Sequence, residues 1–164
     1  MTLAYIRNIL DALPLLSFED FAQTDGKDLT RENPKYLTPL ENWGYEEITD
    51  SISKLQTNYL HYLCMMGRSQ PLRDFIKKMK AEYDKYGESI DFMLNDNCIF
   101  HHWDWTPLHT LVAWNNSPDL AHYLVQQGSD PTSIDYYQDR PGSHLDDSLY
   151  ISPFILGCEI DHTE

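Results

Sequence analysis

A chain of 164 residues with twelve Lys and Arg against twenty-six Asp and Glu carries a net charge of −14, a surface that repels nucleic-acid phosphates and anionic lipid. Apolar residues make up 41% of it and aromatics 13%, with eleven Tyr and four Trp, which is too apolar for a disordered chain. No apolar run approaches the roughly 20 residues of a membrane-spanning helix, so insertion of that kind is excluded.

The first predicted element is an amphipathic helix from Thr2 to Ala12, where Leu3, Ile6, Ile9, Leu10 and Leu13 recur on one face and Pro14 ends the run. It lacks the basic start and small-residue cleavage site of a signal peptide. Ser17 with Asp20 three residues on opens a short helix at Phe18–Gln23. Residues 24–40 hold Gly26, Pro34, Pro39 and several Asp and Asn, and read as loop. Ile48, Ile52 and Leu55 keep helical spacing, which predicts a helix over Glu46–Leu55. No segment alternates in the manner of a strand, and the fold class expected is all-α.

From residue 57 the sequence repeats. Asn58-Tyr-Leu-His61, Thr106-Pro-Leu-His109 and Ser152-Pro-Phe-Ile155 each open a predicted helix with a small polar residue, and the last two continue with Pro. A hydroxyl followed by Pro suits a helix start, because the hydroxyl caps free amides and Pro sits where no donor is needed. Second helices follow at Pro71-Leu-Arg-Asp-Phe-Ile and at Pro118–Gln127, with Leu72, Phe75 and Ile76, then Leu120, Leu124 and Val125, on one face. Gly128 is placed to close the latter as a left-handed cap.

Residues 105–132, with their Thr-Pro-Leu-His opening, paired short helices and closing Gly-Ser-Asp-Pro, resemble an ankyrin repeat. Asn115 stands where that family usually has Gly, and the turn between helices is one residue longer. The likeness is weaker over 58–76 and reduces to a first helix at 152–164. Leu60, Leu108 and Phe154 are spaced by 48 and 46 residues, against the roughly 33 of the family, so extra segments follow each second helix. The expected architecture is a short irregular ankyrin-like helix-pair stack. A helical N-terminal cap (1–56) precedes repeats at 57–105 and 106–151 and a truncated third at 152–164, all one cooperative domain.

Function follows from what the residues offer. His101, His102, Asp104 and His109 form the one metal-like cluster, but their spacing fits no metal motif, and the resemblance implies that His109, like His61, is a structural hydrogen-bond bridge. Cys64, Cys98 and Cys158 lack motif spacing and fit reduced thiols in an intracellular protein. No phosphate loop or nucleophile motif is present, so neither enzyme activity, cofactor nor metal is expected.

The resemblance implies a protein–protein interaction module whose turns and first helices line a groove. Tyr62, Met66, Trp103, Trp105, Trp114, Tyr136 and Tyr137 are the candidate groove residues. Residues 106–164 carry one basic and nine acidic side chains, and Asp135, Asp139, Asp146 and Asp147 would form an acidic rim that favours a basic partner surface. Irregular spacing in a short protein is similar in style to ankyrin proteins of viruses and intracellular bacteria that intercept host factors. Two alternatives are an acidic mimic of nucleic acid that blocks a DNA- or RNA-binding protein, and a small metal-dependent hydrolase built on His101, His102 and Asp104.

Overall fold

The computed structural model describes residues 3–24, 45–96, 105–115 and 117–133, together with Pro153. Seven helices lie among them, and no strand. They are α1 (Leu3–Ala12), α2 (Phe18–Thr24), α3 (Tyr45–Met66), α4 (Ser69–Asp84), α5 (Asp91–Asn95), α6 (Pro107–Trp114) and α7 (Pro118–Gln127).

The N-terminal helices form where sequence signals place them. α1 stops two residues before Pro14. The Ser17 hydroxyl accepts from the Asp20 amide at 3.1 Å, which caps α2. α3 differs from expectation, because the helix expected at Glu46–Leu55 and the first helix of the repeat are one continuous 22-residue helix. Nothing helix-breaking separates Leu55 from Asn58, and Thr57 turns its hydroxyl back onto the Ser53 carbonyl at 3.0 Å.

The middle of α3 is the centre of the molecule. Residues 57–64 are buried without interruption, which a helix permits only when neighbours surround it. Packed around it are α2, α4, α5 and α6. Phe18 and Phe21 of α2 meet Tyr59, with ring centroids 5.4 and 5.3 Å apart, and Phe75 of α4 closes the cluster edge-on to Tyr59 at 5.0 Å. In the linker after α1, Leu16 is held at both its backbone polar groups: its amide donates to the Tyr62 hydroxyl at 2.9 Å, and its carbonyl accepts from the Tyr59 hydroxyl at 2.7 Å. Burial beside Tyr62 and Glu19 pushes the Tyr59 phenol up to about 12, so the donor survives to strongly alkaline pH.

Two arginines join α1 to the end of α3. Arg7 donates to the Met65 carbonyl at 3.0 Å and to the Met66 carbonyl, the last two of α3. Arg68, just beyond α3, donates in return to the carbonyls of Leu10, Asp11 and Leu13 at the end of α1. Neither helix has a basic residue in its own last turn, so each receives its compensating positive charge from the other.

The pair α6 and α7 is joined across 115–117 and packs through Leu108, Leu111, Leu120 and Leu124, all buried, with Val112 partly covered. α5 was not expected. Ile90, Met93 and Leu94 fill a gap beneath α3 and α6, and their spacing of three and one is the signal that a five-residue helix leaves in the sequence. Asn95 then ties α5 to the turn after α7, donating to the Gly128 carbonyl at 3.0 Å and accepting from the Asp130 amide at 2.7 Å. Gly128 closes α7 at φ +121, where a Cβ would meet the Asp91 carboxylate.

Next to it, the Ser129 hydroxyl is buried and has no partner among the described residues. Ser129→Ala is therefore expected to raise stability by about 1 kcal/mol, seen as a higher urea midpoint at unchanged slope. A lower midpoint would show that the hydroxyl is satisfied.

Candidate partner-docking site

The candidate groove residues divide into three groups. Trp103, Tyr136, Tyr137 and the rim carboxylates Asp135, Asp139, Asp146 and Asp147 lie outside the described residues, as do His101, His102 and Asp104 and, Pro153 apart, the segment 152–164. Trp105 and Trp114 are half-buried at either end of α6. Tyr62 and Met66 belong to the core, at 8% and 1% exposure, and do not line a groove.

The last group is a correction with a clear cause. Met66 corresponds to Trp114 one repeat earlier, and that correspondence places it on the same side of its helix. On α3, however, α1 and α2 occupy the space that a partner would need. Tyr62 packs its ring against that of Phe21, with centroids 5.3 Å apart, and spends its hydroxyl on Leu16, while Met66 lies beneath the Arg7 cap.

Around α6 the geometry explains the Thr-Pro-Leu-His opening. Thr106 is the N-cap, and Pro107 stands where no amide donor is needed. Nδ1 of His109 accepts from the Thr106 amide at 3.2 Å, 2.8 Å from its hydroxyl, and so takes the part that Glu or Gln plays in a capping box. Accepting there leaves the ring proton on Nε2. His109 is fully buried, and the Trp105 ring lies nearly parallel to it, with centroids 6.5 Å apart. Trp105 therefore covers the entrance of α6 with one side of its ring.

His61 occupies the equivalent place on α3 and links three elements. Its Nε2 faces the Asp96 carbonyl at 3.2 Å and its Nδ1 faces the Thr110 hydroxyl at 3.0 Å. With both nitrogens engaged, the ring is a buried bridge and not an available ligand. Among the described residues no three His, Cys, Asp or Glu side chains converge as a metal site. Cys64 is wholly buried and its thiol is pushed far up by desolvation, so it is inert as a nucleophile.

Asn115 is the residue whose importance the sequence did not convey. Its side-chain amide donates to the carbonyls of Cys64 and Met65 at 2.6 and 3.1 Å and closes the end of α3 from the next repeat. Space for it exists because the equivalent residue on α3 is Gly67, at φ +66, where any Cβ would overlap the Asn115 amide. The turn that follows α7 is built by Asp130, whose carboxylate accepts from the Thr132 amide and hydroxyl at 2.8 and 2.7 Å. Those bonds hold the Asp130 carboxyl below the usual range.

The segment thus combines a capped Thr-Pro-Leu-His start, a glycine-closed second helix and an Asp-Pro turn, and residues 103–136 match the family model of the ankyrin repeat. This segment is an ankyrin repeat. The chain matches no curated protein and no solved structure. Ankyrin repeats bind other proteins, and the half-buried Trp105 and Trp114 are the large aromatics this one presents among the described residues. No helix among those residues is long and apolar enough to cross a membrane. Between α4, α5 and the end of α7 lies a recess of about 370 Å³, lined by Lys80, Asp84, Glu88, Asp91 and Gln127. Gly87 and Ile90 share that lining, so the recess is mixed in polarity.

Proposed function

We propose that this chain is a non-enzymatic protein–protein interaction module, acting inside the cell, whose working surface is the ankyrin repeat at 103–136. The observation that carries the reading is the family match, joined to two Trp side chains left half-buried on that same repeat. Trp114 and Trp105 are the anchors, with Trp103, Tyr136 and Tyr137 completing the surface. The acidic residues Asp135, Asp139, Asp146 and Asp147 favour a basic partner, of the kind a pathogen protein would meet in intercepting a host factor.

Affinity capture from cell lysate, at low and at high salt, tests this. Truncating an aromatic anchor commonly costs about 2 kcal/mol, roughly thirtyfold in affinity, whereas rim charges mainly alter association rate. Trp114→Ala with Tyr136→Ala is expected to abolish capture while urea unfolding stays cooperative. Asp146→Asn with Asp147→Asn is expected to slow association and flatten its salt dependence. Capture that vanishes with salt, tolerates the aromatic changes and fails on neutralising the carboxylates would instead identify an acidic mimic of nucleic acid.

A further inference from the structure

Four of the twelve basic side chains of this acidic protein, Arg73, Lys77, Lys78 and Lys80, lie within eight residues of α4. Residues 68–85 hold six of the twelve basic side chains and only three acidic ones, net +3, so the remainder of the chain carries −17. Arg73, Lys77, Lys78 and Lys80 fall at helical spacing across the face of α4 opposite to its buried Leu72, Phe75, Ile76 and Met79. Two of the four are held in place against α7. The Arg73 guanidinium sits 4.2 Å above the Tyr123 ring, and Lys80 donates to Gln127 Oε1 at 3.3 Å.

Lys77 and Lys78 are exposed and make no ion pair among the described residues. Of the carboxylates beside them, Glu82 pairs with Lys85 at 2.8 Å, while Asp74, the one acid between Arg73 and Lys80, accepts from the neutral Gln70 amide at 2.8 Å and keeps its charge. With acids outnumbering bases two to one, a cationic face that stays unpaired is unusual, and its charge is open to an anion from outside.

We infer that the solvent-facing side of α4 docks a short acidic segment of a partner protein. Length decides for a short peptide over nucleic acid. Arg73 to Lys80 spans seven residues, about 10 Å at 1.5 Å per residue, which matches about three residues of extended chain. Beyond Lys80, the carboxylates of Asp84, Glu88 and Asp91 line the adjoining recess and repel a longer polyanion. The surface uses neither Trp105 nor Trp114 and is independent of the interaction proposed for the ankyrin repeat.

The test is an NMR titration of the full chain, ¹⁵N-labelled, with a glycine-flanked peptide of four glutamates and with its glutamine counterpart. Amide shifts are expected to cluster on α4 with the glutamate peptide alone and to shrink as salt is added. Lys77→Gln with Lys78→Gln is expected to weaken binding about fivefold or more, while Lys54→Gln on α3 leaves it unchanged. Both lysines are exposed, so a spectrum otherwise like that of the natural protein verifies the fold. Absence of shifts on α4, or equal binding by the double variant, would overturn the proposal and leave the lysines as a solvated face. Tighter binding of a short oligothymidylate through the same lysines would overturn it in favour of nucleic acid.

Discussion

Replacing Gly67 by Ala is expected to destabilise the protein by roughly 3–5 kcal/mol, as two costs fall on one position. The first is conformational: φ is +66, a region where an L side chain costs about 1 kcal/mol or more. The second is steric. A Cβ at residue 67 would overlap the Asn115 amide, driving it off the Cys64 and Met65 carbonyls and leaving buried groups unpaired. A double-mutant cycle separates the two. In an Asn115→Gly background the overlap is gone, and the cost of Gly67→Ala should fall to about 1–2 kcal/mol. An identical cost in both backgrounds, measured by urea denaturation, would show that the Asn115 contact is not its source.

Leu108→Ala carries the next largest effect, on the order of 2–5 kcal/mol. Leu108 is 2% exposed at the first turn of α6 and belongs to the one core cluster that runs from Phe21 to Leu124. The cavity would open beside His109, where the capping hydrogen bonds hold the backbone and limit collapse. Val125→Ala is the matched control. It removes apolar atoms from α7 at a position 38% exposed, and its effect should stay within about 0.5 kcal/mol. Equal losses for the two variants would mean that the helix pair does not pack as described.

What the sequence disclosed was local. Ser17 and Thr106 marked helix starts because a cap acts across two or three residues, and Gly128 marked a helix end because its left-handed φ excludes other residues. Leu120 and Leu124 were legible as core from their spacing, whereas Val125, expected on the same face, is 38% exposed because it lies at the edge of that stripe. The features that remained hidden act across the fold. Arg7, Arg68 and Asn115 cap helices whose ends lie fifty or more positions away in the chain, and no window of sequence contains both partners.

Two of the candidate groove residues, Tyr62 and Met66, failed for a related reason. Repeat spacing carried Trp114 back onto Met66 correctly as a position, but said nothing of Phe18, Phe21 and Arg7, which cover that part of α3. Equivalent residues of two repeats thus have different surroundings, one facing a neighbouring helix and the other half-exposed. α5 was not legible because five residues give one turn and a single buried pair, Met93 and Leu94, too little for periodicity to register.

The exchanged arginines have a consequence beyond the two helix ends they cap. Each end depends on a residue delivered by the other, so neither cap survives the departure of its partner. Removal of residues 1–12 would not merely subtract one helix. It would withdraw Arg7 from the last carbonyls of α3 and take two of the three acceptors, Leu10 and Asp11, from the Arg68 guanidinium, close to the point where Asn115 also holds α3. Damage at the start of the chain would thereby be delivered to the seam between its successive helix pairs.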